Sequence, residues 1–363
     1  MKFDETYIHG VMSGKDRSLK ARLLRTGAAI VEPFYAMAMT RRNRGFATDP
    51  KSSVKLARPT ISVGNITTGG TGKTPTVRWL ANQFVRRGHR PAILMRGYGA
   101  DENGFSDEQA ELQQSLQNVE GSAICVVANP DRVAGAATAL QQDASAAVFI
   151  LDDGMQHRRV QRQFELVLIN AAEPFGFGRV FPRGMLREPL TGLSRASAFL
   201  LTHASETEAA WIELIERRLR QFSSAPVFRS DHQITRFVDS AGAVMNPSGR
   251  KAFAFCGIGS PQSFFAPLAL RQEFLVGKRA MADHHVYQLA DLQQLQSEAK
   301  KAGAEVLVTT EKDWVKVSRV MNGASQQTGT QLPIWRAQLE LTFARLHEQQ
   351  LLHQILGKLF PRQ

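Results

Sequence analysis

Residues 68–74 of this 363-residue chain read Thr68-Gly69-Gly70-Thr71-Gly72-Lys73-Thr74, and this stretch decides the fold class. It follows an apolar run at residues 61–63 that is typical of a buried strand, and it precedes a helical stretch at residues 75–87. A strand, a glycine-rich loop and a helix in this order are typical of a phosphate-binding P-loop. The glycines let backbone N–H groups converge on phosphate oxygens, and the helix N-terminus adds partial positive charge. The stretch therefore predicts a nucleotide site formed by residues 69–74.

Lys73 and Thr74 are the two side chains of this loop that a nucleotide requires. In a P-loop the lysine reaches the β- and γ-phosphates, and the hydroxyl that follows it ligates Mg²⁺. Thr67 stands where the usual pattern has its first glycine, so we interpret the loop as a variant; a glycine-rich turn with a chance Lys-Thr pair is the alternative. Thr68 stands where ATPases that dimerise through a deviant P-loop carry a signature lysine, and residues 310–313 lack the spacing of a guanine-reading motif. The pattern therefore favours ATP over GTP.

Two acids end another apolar run, at residues 148–151. Asp152 and Asp153 follow it directly, and Gly154 comes next. A carboxylate at the carboxyl end of a strand that neighbours a P-loop is typical of a magnesium site. An Asp-Gly turn that merely ends the strand is the alternative. His157 and two arginines come directly afterwards, which predicts that they lie beside the nucleotide.

Short apolar strands alternate with helical stretches from residue 59 to about residue 201. This alternation predicts an α/β fold of the P-loop NTPase type, with a mostly parallel sheet that helices cover on both faces. A second, smaller α/β pattern begins at residues 253–256, which places a boundary near residue 225. We therefore predict an N-terminal membrane-interface helix at 1–50, a nucleotide-binding domain at 51–225, a smaller α/β lobe at 226–330, and a C-terminal strand and helix at 331–363. Strands are predicted at 61–63, 92–95, 123–127, 147–151, 166–169, 198–201, 226–228, 233–238, 253–256 and 306–308.

Composition narrows the class of partner. The 45 Lys+Arg outnumber the 33 Asp+Glu by 12, which favours an anionic partner such as nucleic acid, an anionic membrane surface or a phosphorylated substrate. The hydrophobic fraction of 43% excludes a largely disordered chain. Cys125 and Cys256 lie in apolar runs without metal-binding spacing, so neither a zinc site nor a disulfide framework is predicted. No run of about 18 apolar residues is present, so we expect no membrane span.

The segment from Leu19 to Met39 is apolar along much of its length. Lysines and arginines at positions 15, 17, 20, 22 and 25 precede its apolar part, and arginines at 41, 42 and 44 follow it. Such a helix can lie in the headgroup layer of a membrane, with its apolar face in lipid and its cations on anionic phosphates. Glu32 and Pro33 interrupt the apolar pattern, and an ordinary N-terminal helix packed on the body is the alternative.

Taken together, these motifs resemble the tetraacyldisaccharide 4'-kinases, the membrane-associated lipid A 4'-kinases. The Asp-Asp-Gly-x-Gln-His piece at residues 152–157 and the Arg-Gly-Tyr-Gly piece at 96–99 are specific in combination. Further matching pieces run in order through most of the chain, at residues 62–65, 69–75, 107–108, 130–133, 182–188, 255–259, 283–287 and 310–313.

The resemblance implies transfer of the γ-phosphate of ATP, with Mg²⁺, to the 4'-hydroxyl of a lipid-linked glucosamine disaccharide 1-phosphate. It also implies two αβα lobes, with the nucleotide on the larger one, and a peripheral location on the cytoplasmic face of the inner membrane. Tyr98, His157 and Glu188 match further functional positions of the family, and with Arg187 they are assigned to the nucleotide site.

The resemblance places the catalytic base on Asp107 and pairs it with His284. Asp107 also begins a predicted helix, so a helix-start residue without a catalytic role is the alternative. A sugar hydroxyl is a poor acid, so a hydrogen-bond acceptor within reach assists its attack. His284 belongs to the predicted smaller lobe, and lobe closure would then assemble the site only when substrate is present.

Three arginines, Arg132, Arg183 and Arg187, are candidates for the substrate phosphate or the transferring phosphoryl group. The guanidinium fork suits phosphate because it donates two parallel hydrogen bonds. A solvated surface charge is the alternative for each of them.

Two other functional classes are weighed against the kinase. A P-loop ATPase that acts as a switch or maturation factor would need no lipid acceptor, but the signature lysine and the guanine-specific spacing are both missing. A nucleic-acid-binding protein would fit the charge, but no zinc spacing, RNA-recognition signature or basic heptad supports it.

Overall fold

The computed structural model describes residues 5–97, 107–116, 124–271, 273–283, 285–323 and 331–361, and for Asp107 it describes the backbone alone. The chain divides into two compact units. The first comprises Met1–Arg96, Ile124–His232 and Leu341–Gln363, and the second comprises Gly97–Ala123 and Gln233–Glu340. Gly97–Ala123, which the sequence analysis assigned to the nucleotide-binding domain, thus groups with the second unit.

The described residues form ten α-helices and twelve strands. The helices are α1 (Glu5–Met12), α2 (Leu19–Thr48), α3 (Lys73–Val85), α4 (Asp107–Leu116), α5 (Arg132–Gln142), α6 (Ala209–Arg220), α7 (Pro261–Ala269), α8 (Leu289–Lys301), α9 (Glu311–Gly323) and α10 (Leu346–Leu359). The strands are β1 (Thr60–Asn65), β2 (Pro91–Met95), β3 (Cys125–Ala128), β4 (Val148–Asp152), β5 (Phe164–Asn170), β6 (Ala198–Thr202), β7 (Val227–Val238), β8 (Val244–Met245), β9 (Ala252–Cys256), β10 (Leu275–Ala280), β11 (Val306–Thr310) and β12 (Ile334–Phe343).

The first unit is built on a parallel sheet with the strand order β7-β6-β5-β1-β4-β2-β3. Strands β1, β2 and β6 are buried at every position, because helices cover both faces of the sheet. One apolar cluster packs around Phe199 and Ile215 with α6, and another packs around Phe149 and Ala136 with α5. The predicted α/β fold with a mostly parallel sheet is confirmed.

The pairing of β1 with β4 positions the site. Val63 of β1 is in register with Asp152 of β4. Since parallel strands end at the same edge of the sheet, the loop that follows β1 and the acids that end β4 leave the sheet side by side.

The second unit contains the parallel strands β10, β9, β11 and β12 in that order, and β8 pairs antiparallel with the end of β7. One apolar cluster of this unit packs around Phe237 and Phe264, and the other packs around Phe255 and Trp314.

Strand β7 corrects one expectation. Two short strands were predicted at 226–228 and 233–238, but the structure has a single twelve-residue strand, Val227–Val238. The polar residues between them read as a turn, yet Ser230 and Asp231 are buried. Ser230 Oγ donates to the Leu201 carbonyl, and Asp231 Oδ1 accepts from the Ser205 N–H. These contacts with β6 and with the chain that follows it keep the polar residues in extended conformation.

Helix α2 is longer than expected. The sequence pattern indicated an interruption at Glu32 and Pro33, but the helix runs through Pro33 without a break and ends at Thr48. No helix among the described residues is long and apolar enough to cross a membrane.

Candidate active site

The glycine-rich loop joins the buried strand β1 to helix α3, as its sequence predicts. Gly69 has φ +112° and Gly72 has φ +79°, which is the left-handed region that side chains disfavour. The loop is tied to the chain at 185–187, since Thr68 N–H donates to the Met185 carbonyl at 2.7 Å and Arg187 N–H donates to the Ile66 carbonyl at 2.8 Å. Lys73 and Thr74 therefore begin α3 at a fixed place beside the end of β1.

The Lys73 ammonium lies near two side-chain oxygen atoms, one at the end of β1 and the other directly after β4. Its Nζ is 3.3 Å from Asn65 Oδ1 and 3.6 Å from Asp153 Oδ1. Arg187 Nη1 contacts both oxygens of the same Asp153 carboxylate, at 2.9 and 2.8 Å. The structure thus brings together three of the predicted site residues, with two cations around one carboxylate.

The charge on Asp153 follows from these neighbours. Burial raises the pKa of the Asp153 carboxyl, but the Lys73 and Arg187 cations outweigh burial and hold that pKa below its usual range. The carboxylate is therefore ionised at neutral pH. Because phosphate is also an anion, a nucleotide on this loop would meet the same two cations.

Glu188 is the buried centre of a polar network beside this cluster. Its carboxylate is fully buried and accepts from Arg195 Nη2 at 2.7 Å, from Gln156 Nε2 at 3.0 Å and from Asn43 Nδ2 at 2.5 Å. Gln156 Nε2 also donates to the Asn65 carbonyl at 3.0 Å, which links the network to the end of β1. The three donors hold the buried Glu188 carboxylate in place, so it orients the chain around the site.

We expect Glu188→Ala to lower the free energy of unfolding by about 3 kcal/mol or more, because Arg195 would lose the carboxylate that neutralises it in a half-buried position. Glu188→Gln keeps the shape and one acceptor oxygen and should cost less. Urea denaturation followed by circular dichroism measures the change. Glu213→Ala is the control: this carboxylate is exposed and faces Arg217 at 3.8 Å, so a change of at most about 1 kcal/mol is expected. An equal effect of Glu188→Ala and the control would contradict the prediction.

His157 and Arg132 lie near the end of β4. Burial, together with the Arg132 and Arg162 cations, lowers the pKa of His157 to about 4, so its ring is neutral at pH 7. Arg132 is buried on α5 and its Nη2 lies 3.4 Å from the Asp152 carbonyl. A neutral imidazole and a buried cation therefore accompany the two acids.

The other predicted arginine has a different neighbour. Arg183 Nη1 is 3.1 Å from a Glu32 carboxylate oxygen on α2, and the other Glu32 oxygen accepts from the Val180 N–H at 3.2 Å. Arg183 thus joins α2 to the chain before the Arg187–Glu188 pair.

Three predicted site residues cannot be placed in full. Tyr98 and His284 lie outside the described residues, and Asp107 is described only as the first residue of α4. Asp107 belongs to the second unit of the chain, as does the segment that contains position 284. Their predicted catalytic pairing remains a prediction.

Several side chains at the site were not predicted. Asn65 and Gln156 stand inside motifs quoted from the sequence, so their positions beside the loop and the acids were a usable signal. Asn43 and Arg195 carried no such signal, because each meets Glu188 only through the tertiary fold.

The chemistry of the oxygen donors fits Mg²⁺. The Asp152 and Asp153 carboxylates at the carboxyl end of β4 and the Thr74 hydroxyl in the first turn of α3 are hard oxygen donors. Mg²⁺ is usually held by one or two carboxylates together with substrate phosphates. Among the described residues no cluster of three or more His, Cys, Asp or Glu side chains is suited to hold a metal ion without such help.

Comparison with known proteins places this site in a family. The family model of the tetraacyldisaccharide-1-phosphate 4'-kinases matches residues 25–359. The chain belongs to this family. The tetraacyldisaccharide 4'-kinase of Syntrophus aciditrophicus is 36% identical over 327 residues, which cover 84% of this chain and 86% of that protein. The tetraacyldisaccharide 4'-kinase of Desulfotalea psychrophila is 34% identical over 302 residues, covering 79% and 84%.

A solved structure shares the fold of this kinase family member. The crystal structure of LpxK from Aquifex aeolicus in complex with ATP matches with a TM-score of 0.70 and 24% identity, covering 93% of this chain and 99% of that one. The predicted resemblance, fold and enzyme class are confirmed, and the kinase is supported over the P-loop switch.

Proposed function

We propose that this kinase transfers the γ-phosphate of ATP to the 4'-hydroxyl of a lipid-linked glucosamine disaccharide 1-phosphate, in the synthesis of lipid A. The observation that carries the proposal is the family match over residues 25–359, joined to a P-loop whose lysine faces a strand-end carboxylate. ATP is the proposed donor because the loop has no guanine-specific partner motif and because the related structure from Aquifex aeolicus is a complex with ATP.

In the proposed mechanism the residues of the first unit bind and neutralise the donor. Backbone N–H groups of the loop and the Lys73 ammonium hold the β- and γ-phosphates, and Arg187 supplies a second cation. Mg²⁺, held by Thr74 and the acids at Asp152 and Asp153, would neutralise phosphate charge when bound. Phosphoryl transfer needs positioning and charge neutralisation more than covalent assistance, which is what this set supplies.

The proposed acid–base residues belong to the second unit. We propose Asp107 as the residue that accepts the hydroxyl proton and His284 as the residue that orients the Asp107 carboxylate. The support for this assignment is the match of residues 107–108 and 283–287 to family motifs, and both positions belong to one unit of the fold. Tyr98 and His157 complete the proposed nucleotide site.

Transfer of label tests the reaction directly. The enzyme is incubated with γ-labelled ATP, Mg²⁺ and a tetraacylated disaccharide 1-phosphate in detergent micelles, and the lipid is extracted and counted. Label on the lipid is expected, and an acceptor that lacks the 4'-hydroxyl should receive none. Release of the label only as inorganic phosphate would support the P-loop switch instead.

We further propose that α2 holds the enzyme at the cytoplasmic surface of the inner membrane. Five large apolar side chains of this helix are 64–75% exposed: Leu19, Leu23, Ile30, Phe34 and Met37. At about 100° per residue they fall within about 60° of arc, so they form one stripe along the helix. Arg41 and Arg44 continue the same face at its carboxyl end, where anionic headgroups would attract them.

The opposite side of α2 is bonded to the candidate active site. Tyr35 Oη donates to the Arg187 carbonyl at 3.1 Å, Arg42 Nη2 donates to the Gln156 carbonyl at 2.8 Å, and Asn43 reaches Glu188. The sequence left open whether this helix lies at a membrane interface or packs on the body of the protein. Because α2 has an exposed apolar face and an opposite bonded face, it can do both. Deleting the helix would therefore disturb the site as well as the proposed membrane contact, so substitutions on the exposed stripe are the cleaner test.

We expect the triple variant Leu23→Ser, Ile30→Ser, Phe34→Ser to bind anionic phosphatidylglycerol vesicles at least about tenfold more weakly, because each buried apolar side chain contributes about 1.5–3 kcal/mol. Binding of the unmodified protein should also weaken as salt rises. Vesicle sedimentation measures both effects, and thermal unfolding and ATP binding should stay unchanged. The control replaces Val244 and Leu270 by Ser, since these apolar side chains are 66% and 85% exposed in the second unit. Equal vesicle binding by the two variants would contradict the role of the stripe.

A further inference from the structure

The ring of His232 covers the last glycine of the phosphate-binding loop. A methyl group at Gly72 would overlap His232 Cε1 and would lie 2.5 Å from Nε2 and 3.0 Å from Nδ1. The ring therefore fills the space that any side chain at position 72 would need. Gly72 also has φ +79°, so both the backbone conformation and the imidazole require glycine here.

The chain around His232 is tied down on one side. Ser230 Oγ donates to the Leu201 carbonyl at 3.1 Å, the Ala204 N–H donates to the Ser230 carbonyl at 3.2 Å, and Asp231 accepts from the Ser205 N–H at 2.9 Å. These bonds fix the two residues that precede His232 to β6 and to the chain that follows it.

A second imidazole supports the ring itself. The rings of His203 and His232 meet edge to face, with centroids 5.5 Å apart and an angle of 67°. The His232 ring is therefore held between His203 and the loop, and its Nε2 is shielded from solvent without a hydrogen-bond partner among the described residues.

His232 meets the loop as a neutral group. Burial, together with the neighbouring His203 and Arg78, lowers the pKa of His232 to about 4. At pH 7 the ring therefore acts on the loop through steric contact and adds no positive charge beside Lys73.

Gly72 determines the start of helix α3. Its carbonyl accepts from the Thr76 N–H at 3.3 Å and from Thr76 Oγ1 at 2.9 Å, and this closes the first turn, from which Lys73 and Thr74 project. A shift of Gly72 would therefore move both nucleotide-binding side chains.

We propose that His232 is a positioning residue for the nucleotide: its ring holds Gly72, and through Gly72 the first turn of α3, in the conformation that presents Lys73 and Thr74 to the phosphates. This rests on ATP binding at the P-loop, as in the proposed function, but it requires nothing of the lipid acceptor.

The first test is a titration of each variant with ATP and Mg²⁺ by calorimetry, without acceptor. His232→Ala should raise the Kd for ATP about tenfold, which is less than the roughly 10²-fold that a 1 Å misplacement can cost in rate. His232→Phe, which keeps a flat neutral ring, should stay within about threefold of the parent, whereas His232→Gln should resemble His232→Ala. The Phe and Gln variants both keep a large side chain, so they decide the matter if His232→Ala does not fold.

The second test is a double-mutant cycle with Gly72→Ala. Alone, Gly72→Ala should weaken ATP binding through both backbone strain and overlap with the ring. In the His232→Ala background the overlap is absent, so Gly72→Ala should cause a smaller fold-loss than in the parent, which is the non-additivity expected of residues in contact. Kd values for His232→Ala and His232→Gln within twofold of the parent, or equal fold-losses in both backgrounds, would overturn the proposal. Failure of the unmodified enzyme to phosphorylate the lipid would count against the proposed acceptor chemistry, whereas the ATP-binding outcomes above decide the role of His232.

Discussion

Lys73→Ala is expected to lower turnover about 10²–10³-fold, because the variant loses a preorganised positive group at the phosphates. The fold should survive, since the loop is held by backbone hydrogen bonds at Thr68 and Arg187 and by the left-handed glycines, none of which uses the lysine side chain. Asp153 would keep the Arg187 contact at 2.8 Å, so its carboxylate would not be left without a cation. Steady-state transfer to the lipid acceptor measures the loss.

Lys51→Ala is the matched control, because Lys51 is exposed and precedes the strand β1. It should leave turnover unchanged. Thr74→Ala should lower the rate and weaken its dependence on Mg²⁺, since Thr74 is the proposed hydroxyl ligand. Normal turnover in Lys73→Ala would remove the interpretation of residues 69–74 as a phosphate-binding loop.

Asp107→Asn is expected to lower kcat about 10²–10⁴-fold, the usual consequence of losing a general base. The affinity for ATP should change little, because Asp107 is proposed to act on the acceptor hydroxyl, and because the phosphate-binding residues at 69–74 belong to the first unit whereas Asp107 belongs to the second. Glu108→Gln is the control, since it removes a neighbouring carboxylate and should leave kcat within a few-fold of the parent. Single-turnover kinetics with saturating ATP measure the chemical step.

His284→Ala should lower kcat as well, and the double variant tells whether the two residues act together. If His284 orients the Asp107 carboxylate, the double variant should lose less than the product of the two single losses. Losses that multiply strictly would show that the two residues act independently, and the pairing carried over from the family would then be wrong.

Much of the structure around the phosphate-binding loop could be predicted from the sequence alone. The stretch at 69–74 has few conformations that satisfy both its glycines and a following helix, so strand, loop and helix could be assigned locally. The strands of the first unit could be predicted because strands of a parallel sheet that is covered on both faces have continuous apolar sequences. The order of motifs along the chain was also enough to indicate the family, which the comparisons confirm.

Which distant residues meet at the site could not be predicted from local sequence patterns and depends on the folded chain. Asn43 and Glu188 are 145 positions apart, and Tyr35 and Arg187 are 152 apart, so no local pattern could indicate that α2 supports the site as well as exposing an apolar stripe. The grouping of Gly97–Ala123 with the second unit depends on the same kind of contact. His232 reaches Gly72 because β7 continues through polar residues that the sequence pattern indicates as a turn. Burial of these residues against β6 and the chain that follows it keeps them extended. A local motif depends only on residues that are neighbours in sequence. These contacts depend on strand register and side-chain packing, which are determined by the whole chain.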